Sequence, residues 1–422
     1  MQPPPHKHCL AEGRKLPTTM AILRTVAAVA VVAAVVQPYL TSLPHPYGGL
    51  APVAVPAESI ARFPPFPPDW SGPFDNDALA SHAVRMFEGL VAGAESVAVA
   101  PDGTLLLAGK HGYLYRATKA ANGSYTLQPN PLYIGPGRPL GVHVEKSGAA
   151  VIVCDSVKGL VRVQLDTGTI TVLTNRVTVG LAGATAATDR RAHINYANDL
   201  DVADDGTVFF TSSTEGSVAE DPDGYYNTMR SFILNMCRGD HTGRLLRYSP
   251  ATGQTEVLMD GLWYANGVAV APGGASVLVV ETMGFRVLEF HLSGPKAGQT
   301  TTLIDKLPGF PDGITRSADG NFYISLCTPP SPLLPMLGYG RTVRTVLGWV
   351  TTSPMLQFLV KHMGGVVKMT PRGDVVWALM DRTGANVFTT SAVTEHDGHL
   401  FLGNLNGDFV SRVNLAAATA SP

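Results

Sequence analysis

The chain has 422 residues, including 44 Gly and 32 Pro, with 15% charged residues and a formal net charge of -2. With no basic block after the N-terminal segment, that balance leaves no electrostatic footprint for nucleic acid, which is excluded as a partner. Abundant turn formers and few helix-period stretches predict many short strands joined by turns.

In chain order, residues 1–19 carry His6, Lys7, His8, Arg14 and Lys15 and read as a cytosolic tail. Residues 20–40, "MAILRTVAAVAVVAAVVQPYL", are uncharged from Thr25 through Tyr39, and no Lys or Arg follows until Arg62. That asymmetry predicts a signal-anchor helix with the body of the chain translocated, a single-pass type II membrane protein of the secretory pathway. A cleaved signal peptide is the alternative, since the apolar core is short and Ala-rich. Residues 41–77 are Pro-rich without a period and read as a linker. Asn122 opens a glycosylation acceptor, Asn122-Gly123-Ser124, in keeping with a lumenal or extracellular body. Cys9, Cys154, Cys237 and Cys327 show no zinc or redox spacing; Cys154 and Cys327 sit in strand-like runs as small hydrophobes, and one disulfide among the last three stays open.

Residues 78–422 repeat one grammar six times: strand, Gly-containing turn, strand, turn, strand, and in most units a fourth run such as "ITVLT" or "TEVLM". The expected fold is therefore all-β, a six-bladed β-propeller, in which radial closure protects the strand edges. Aligned on the first turn glycine, Glu95 lies eight residues before Gly103, Asn198 before Gly206, Asn266 before Gly274 and Asp312 before Gly320. Leu140 and Thr390 hold that place in the other two units. Taken singly, Asn-Gly and Asp-Gly mark turns. In shared register, at the starts of strands that surround one axis, two carboxylates repel unless a cation or proton intervenes. Two carboxylates and two amide carbonyls are hard oxygen donors with charge to match a divalent ion, and calcium suits them better than zinc or octahedral magnesium. The alternative is a purely structural calcium.

Strand direction places the connection after each second strand on the same face as these residues, the metal face. Two such connections are long, and both carry helix-like apolar patterning: Phe232, Ile233 and Met236 in unit 3, and Val346, Trp349, Phe358 and Leu359 in unit 5. These helical insertions are expected to wall or cover the site; the second also reads as a membrane-facing patch. Glu281 and Arg286 read as a cross-strand ion pair. His111 and His143 are candidate general bases, although a lone His is more often a surface or satisfied core residue.

The runs "RPLGV" with "DSVKGLVRV", "NDLDV", "GRLLRYSPATGQTEVL", "ANGVAVAP" with "VVETMGFRV", "LPGFPDGI" and "TEHDGHLFLG" resemble the strictosidine synthase-like family, within the gluconolactonase and paraoxonase propellers. The resemblance implies a calcium site at Glu95, Asn198, Asn266 and Asp312. Two departures stand out: Asp312-Gly313 replaces the usual Asp-Asn, giving a set closer to the gluconolactonase version, and Gly93-Ala94-Glu95 replaces Gly-Pro-Glu. The catalytic Glu of true strictosidine synthases falls on Ser391, which disfavours condensation. The expected activity is calcium-dependent hydrolysis of a small ester or lactone, with Asp312, His111 and His143 as catalytic candidates. A non-catalytic binding or scaffolding propeller is the rival.

Overall fold

The computed structural model describes residues 52–179, 190–332, 334–345 and 362–420. Six antiparallel sheets follow one another, five of four strands and one of five. Their innermost strands are Val97–Val99, Pro139–Val144, Ala197–Val202, Ala265–Val270, Pro311–Arg316 and Thr390–His396. Each packs beside the next, and the sixth returns to the first. The chain is a six-bladed β-propeller.

Blade 6 takes its outermost strand from the other end of the propeller. Ala83–Met86 pairs antiparallel with Val410–Asn414, Met86 opposite Val410. This explains why unit 6 carries no fourth run of its own. The ring is thereby closed by backbone hydrogen bonds between its two ends, and each blade keeps only short edges.

The second strands show why the ring holds. Leu105–Gly109, Ala150–Asp155, Val208–Ser212, Ser276–Glu281 and Phe322–Leu326 are buried at every position. A strand sandwiched between two neighbouring blades has no solvent face, so its sequence is a continuous apolar run rather than an alternation. Between blades 4 and 5, for example, Leu278, Val280, Ile314, Ile324, Val367 and Met380 form one cluster. Each such side chain contributes about 1.5–3 kcal/mol on burial.

The six turn glycines used for alignment all adopt the left-handed region: Gly103 at φ 83°, Gly148 at 70°, Gly206 at 87°, Gly274 at 68°, Gly320 at 81° and Gly398 at 70°. Gly313 is different. Its φ is not left-handed, and a Cβ there would lie 2.5 Å from the Ser391 carbonyl oxygen of blade 6. Gly267 likewise faces the Ile314 amide nitrogen at 2.4 Å. These glycines are required by the close approach of adjacent inner strands, not by a turn.

One face is covered by a cap built from three segments. Residues 53–63, within the Pro-rich stretch, dock there: Val53 N–H donates to the Arg238 carbonyl at 2.8 Å, and Phe63 packs on Trp263 and Phe285. The second segment is the blade 3 insertion, whose helix Thr228–Arg238 starts at Asn227, where the side chain accepts from the Arg230 N–H at 2.8 Å. It stops at Gly239 in the left-handed region. The third is the short turn Leu334–Gly338 with its following residues. Arg344 clasps all three, donating to the carbonyls of Arg238 and Val53. Residues Val346, Trp349, Phe358 and Leu359, the 1–19 tail and the 20–40 anchor lie outside the described residues. Among the described residues no helix is long and apolar enough to cross a membrane.

Candidate metal centre at the propeller axis

A bulge recurs at the start of five inner strands, and it aims the site. Register breaks fall between Pro139 and Val142, Ala197 and Leu200, Ala265 and Val268, Pro311 and Ile314, and Thr390 and Val393. The two unpaired residues inside each break include Leu140, Asn198, Asn266, Asp312 and Ser391 respectively. A bulge re-aims one side chain out of the pleat, here into the channel. In blade 6 the aligned residue Thr390 is paired to Asn404, and Ser391 lines the channel instead. The His396–His399 hairpin has a shorter turn than the other blades, so counting eight residues back from its glycine overshoots Ser391 by one.

Glu95, Asn198, Asn266 and Asp312 are all buried, and all line one cavity of about 310 Å³ along the axis. Hydroxyl groups orient the amides. Ser213 Oγ donates to the Ala265 carbonyl at 2.7 Å, so it can only accept from Asn198 Nδ2, at 2.8 Å. Asn198 Oδ1 is left as the free acceptor. Asn266 Nδ2 meets Thr282 Oγ1 at 3.1 Å. Such outer partners commonly tune metal affinity 10–100-fold. We therefore expect Ser213→Ala to weaken calcium binding by roughly tenfold with little change in fold, measured by calorimetry and circular dichroism.

The two carboxylates are buried together in this cavity. Burial pushes the Asp312 carboxyl well above the usual range, and Glu95 pushes it the same way, while the Cys327 thiol and Asn266 pull it back. Cys327 Sγ donates to Asp312 Oδ2 at 3.3 Å. Burial also raises Glu95, opposed by Arg138, whose Nη2 donates to Glu95 Oε2 at 3.0 Å. Above them Tyr264 Oη donates to Tyr196 Oη at 2.9 Å. Phe232 closes on Tyr264 and Phe310, with ring centres 5.0 and 5.6 Å away. Among the described residues no group of three or more His, Cys, Asp or Glu is placed to hold a metal. The axial set instead combines two carboxylates with two amides, and its charge and its oriented carbonyl oxygens fit calcium.

The remaining sequence candidates separate. His143 lines the same cavity, three residues beyond Leu140 on its strand and so about 10 Å further along the channel. Burial lowers its pKa, opposed by Asp201. His111 does not line this cavity; it stands on the capped face, its ring 6.1 Å from that of Tyr225. Asn122 is exposed in a tight turn, where its Oδ1 accepts from the Ser124 N–H and hydroxyl. No disulfide joins Cys154, Cys237 and Cys327, and all three are buried. Arg286 pairs with Glu281 at 2.5 Å across the strands, and Glu281 also accepts the Trp263 N–H at 2.8 Å.

Four features escaped the sequence. Arg138 sits in "GRP", a tripeptide that reads as loop, and Cys327 reads as a core thiol. Asp199 and Asp201 in "NDLDV" serve as staples, accepting the Val268 and Val270 N–H groups of blade 4 at 3.2 and 2.8 Å. Burial pushes the Asp199 carboxyl up to about 7, the two backbone donors notwithstanding.

Fold and site define a six-bladed propeller with an oxygen-lined centre on its axis. Residues 198–295 match the strictosidine synthase family model. The adipocyte plasma membrane-associated protein of Salmo salar is 30% identical over 367 residues, covering 83% of this chain and 82% of that one. Protein strictosidine synthase-like 3 of Arabidopsis thaliana is 27% identical over 388 residues, 85% and 93% of the two chains. The chain belongs to the strictosidine synthase-like family. Among solved structures, a gluconolactonase of Xanthomonas campestris superposes with a TM-score of 0.51 at 17% identity, over 80% of this chain and 93% of that one, a likeness of fold.

Proposed function

We propose that the protein is a calcium-dependent hydrolase of small esters or lactones, working at the propeller axis. The observation that carries this reading is the meeting of Glu95, Asn198, Asn266 and Asp312, from four blades, in one cavity. These four would hold the ion. When bound, calcium supplies a Lewis acid for a carbonyl oxygen and its developing charge. Ser213 holds the Asn198 amide by its nitrogen and leaves the oxygen for the ion, Thr282 accepts from the Asn266 amide nitrogen, and Phe232, Tyr264 and Phe310 pack together on the capped face. Of the candidate bases, His143 is the one inside the cavity, with its pKa lowered by burial, but about 10 Å along the channel from the axial set it lies beyond hydrogen-bond reach of a water attacking there, and the base is left unassigned. Asp312 serves as ligand, since a carboxylate held by a cation is a poor base. His111 stands beside Tyr225 on the capped face and would act only on a substrate entering there.

Condensing activity is disfavoured because blade 6 presents Ser391 and no carboxylate; Ser391 Oγ donates to the Glu95 carbonyl at 2.7 Å, a bond between blades. The name of the Salmo salar relative, the charge asymmetry around residues 20–40 and the exposed Asn122 support a propeller held at a membrane on its lumenal or extracellular side. The test is turnover of an aryl ester and lactone panel by the full chain in calcium and in EGTA. Activity that disappears on chelation and returns with calcium is expected. Bound calcium without turnover on any substrate would favour the scaffolding alternative.

A further inference from the structure

Blade 2 is the one blade of the first five that brings no oxygen to the axis, since its position is Leu140. Two residues earlier it brings a cation. Arg138 is wholly buried, with 0% exposure. Its Nη2 reaches Glu95 Oε2 at 3.0 Å and the Leu405 carbonyl at 3.3 Å, and its guanidinium carbon lies 5.3 Å from the centre of the Tyr225 ring. Nε and Nη1 find no hydrogen-bond partner. An arginine is chosen for its fork of five donors, and here most of the fork is idle. What remains is its charge, placed against one of two buried carboxylates that line the same cavity.

Resting on the calcium reading above, we propose that Arg138 is an internal cation that shares Glu95 with the metal, keeping the axial site folded when empty and making its hold on calcium weak. The charges set the direction. Counted with both carboxyls ionised, the site with Arg138 present carries one net negative charge when empty and one net positive charge when filled. Without it, the empty site holds two negative charges and the filled site is neutral. Arg138 thus stabilises the empty form and destabilises the filled one. It also occupies Glu95 Oε2, so that Glu95 offers the ion one oxygen rather than two. The site then belongs with extracellular modules whose calcium affinity is about 10⁻⁴ M or weaker, and fills only where free calcium is high.

The test uses the full chain, stripped with EGTA and titrated with calcium by calorimetry, with melting temperature followed in parallel. Arg138→Gln and Arg138→Met are expected to bind calcium at least about tenfold tighter than the wild type. Both should melt lower than the wild type in EGTA and recover with calcium, and Arg138→Lys should stay close to the wild type. Equal or weaker binding by folded Arg138→Gln and Arg138→Met, with calcium still bound by the wild type, overturns the proposal and leaves the calcium reading intact. No calcium bound by any of them overturns both. If neither neutral variant folds in either buffer, the wild type alone decides: sub-micromolar binding sinks the proposal, and binding at about 10⁻⁴ M or weaker supports it.

Discussion

With the proposed calcium site, Asp312→Asn is expected to weaken calcium binding at least about 100-fold, yet to leave the protein as stable as the wild type or more so when both are stripped of metal. The two halves of this result have one cause. The Asp312 carboxyl is 3% exposed, and both burial and Glu95 oppose its negative charge. An amide of the same shape removes the charge the ion needs and also the charge the empty site tolerates worst. It can still accept from the Cys327 thiol. Melting curves in EGTA and in calcium check this: the wild type should gain from calcium and the variant should not. A variant that melts well below the wild type in EGTA would show that Asp312 is a structural carboxylate.

Asp381→Ala destabilises the propeller by about 3–5 kcal/mol. Asp381 ends the outer strand of blade 5 and is wholly buried. Its carboxylate accepts the N–H groups of Ala385, Asn386 and Val387 at 3.1, 2.8 and 2.9 Å, and the Thr383 hydroxyl at 3.1 Å. These four donors shape the crossing from blade 5 to blade 6. Truncation strands three backbone donors at once, so the loss is far above that of a surface ion pair. Urea denaturation reads it as a lower midpoint at unchanged slope. A loss under about 1 kcal/mol would mean that water or another group satisfies the crossing.

The repeat was legible because turn glycines are punctuation with a physical reason: all six need a left-handed backbone, and counting from them places Glu95, Asn198, Asn266 and Asp312 in one register. The count failed by one residue in blade 6, because hairpin length and bulge position are independent choices of the chain. Asp312-Gly313 looked like a turn dipeptide. Gly313 is small because the Ser391 carbonyl passes beside it, a contact between blades that no local pattern carries. The closing strand Ala83–Met86 was hidden for the same reason, its partner lying more than 300 residues away. Arg138 was the largest omission. A cation in a loop tripeptide announces nothing until the fold brings Glu95 within 3.0 Å of it.

Diffraction from crystals grown in calcium, recorded at a wavelength where calcium scatters anomalously, tests the central claim most directly. One anomalous peak on the propeller axis, about 2.3–2.6 Å from oxygens of Glu95, Asn198, Asn266 and Asp312, is the predicted result. An axis without a peak at millimolar calcium, or a peak held by other residues, would contradict it.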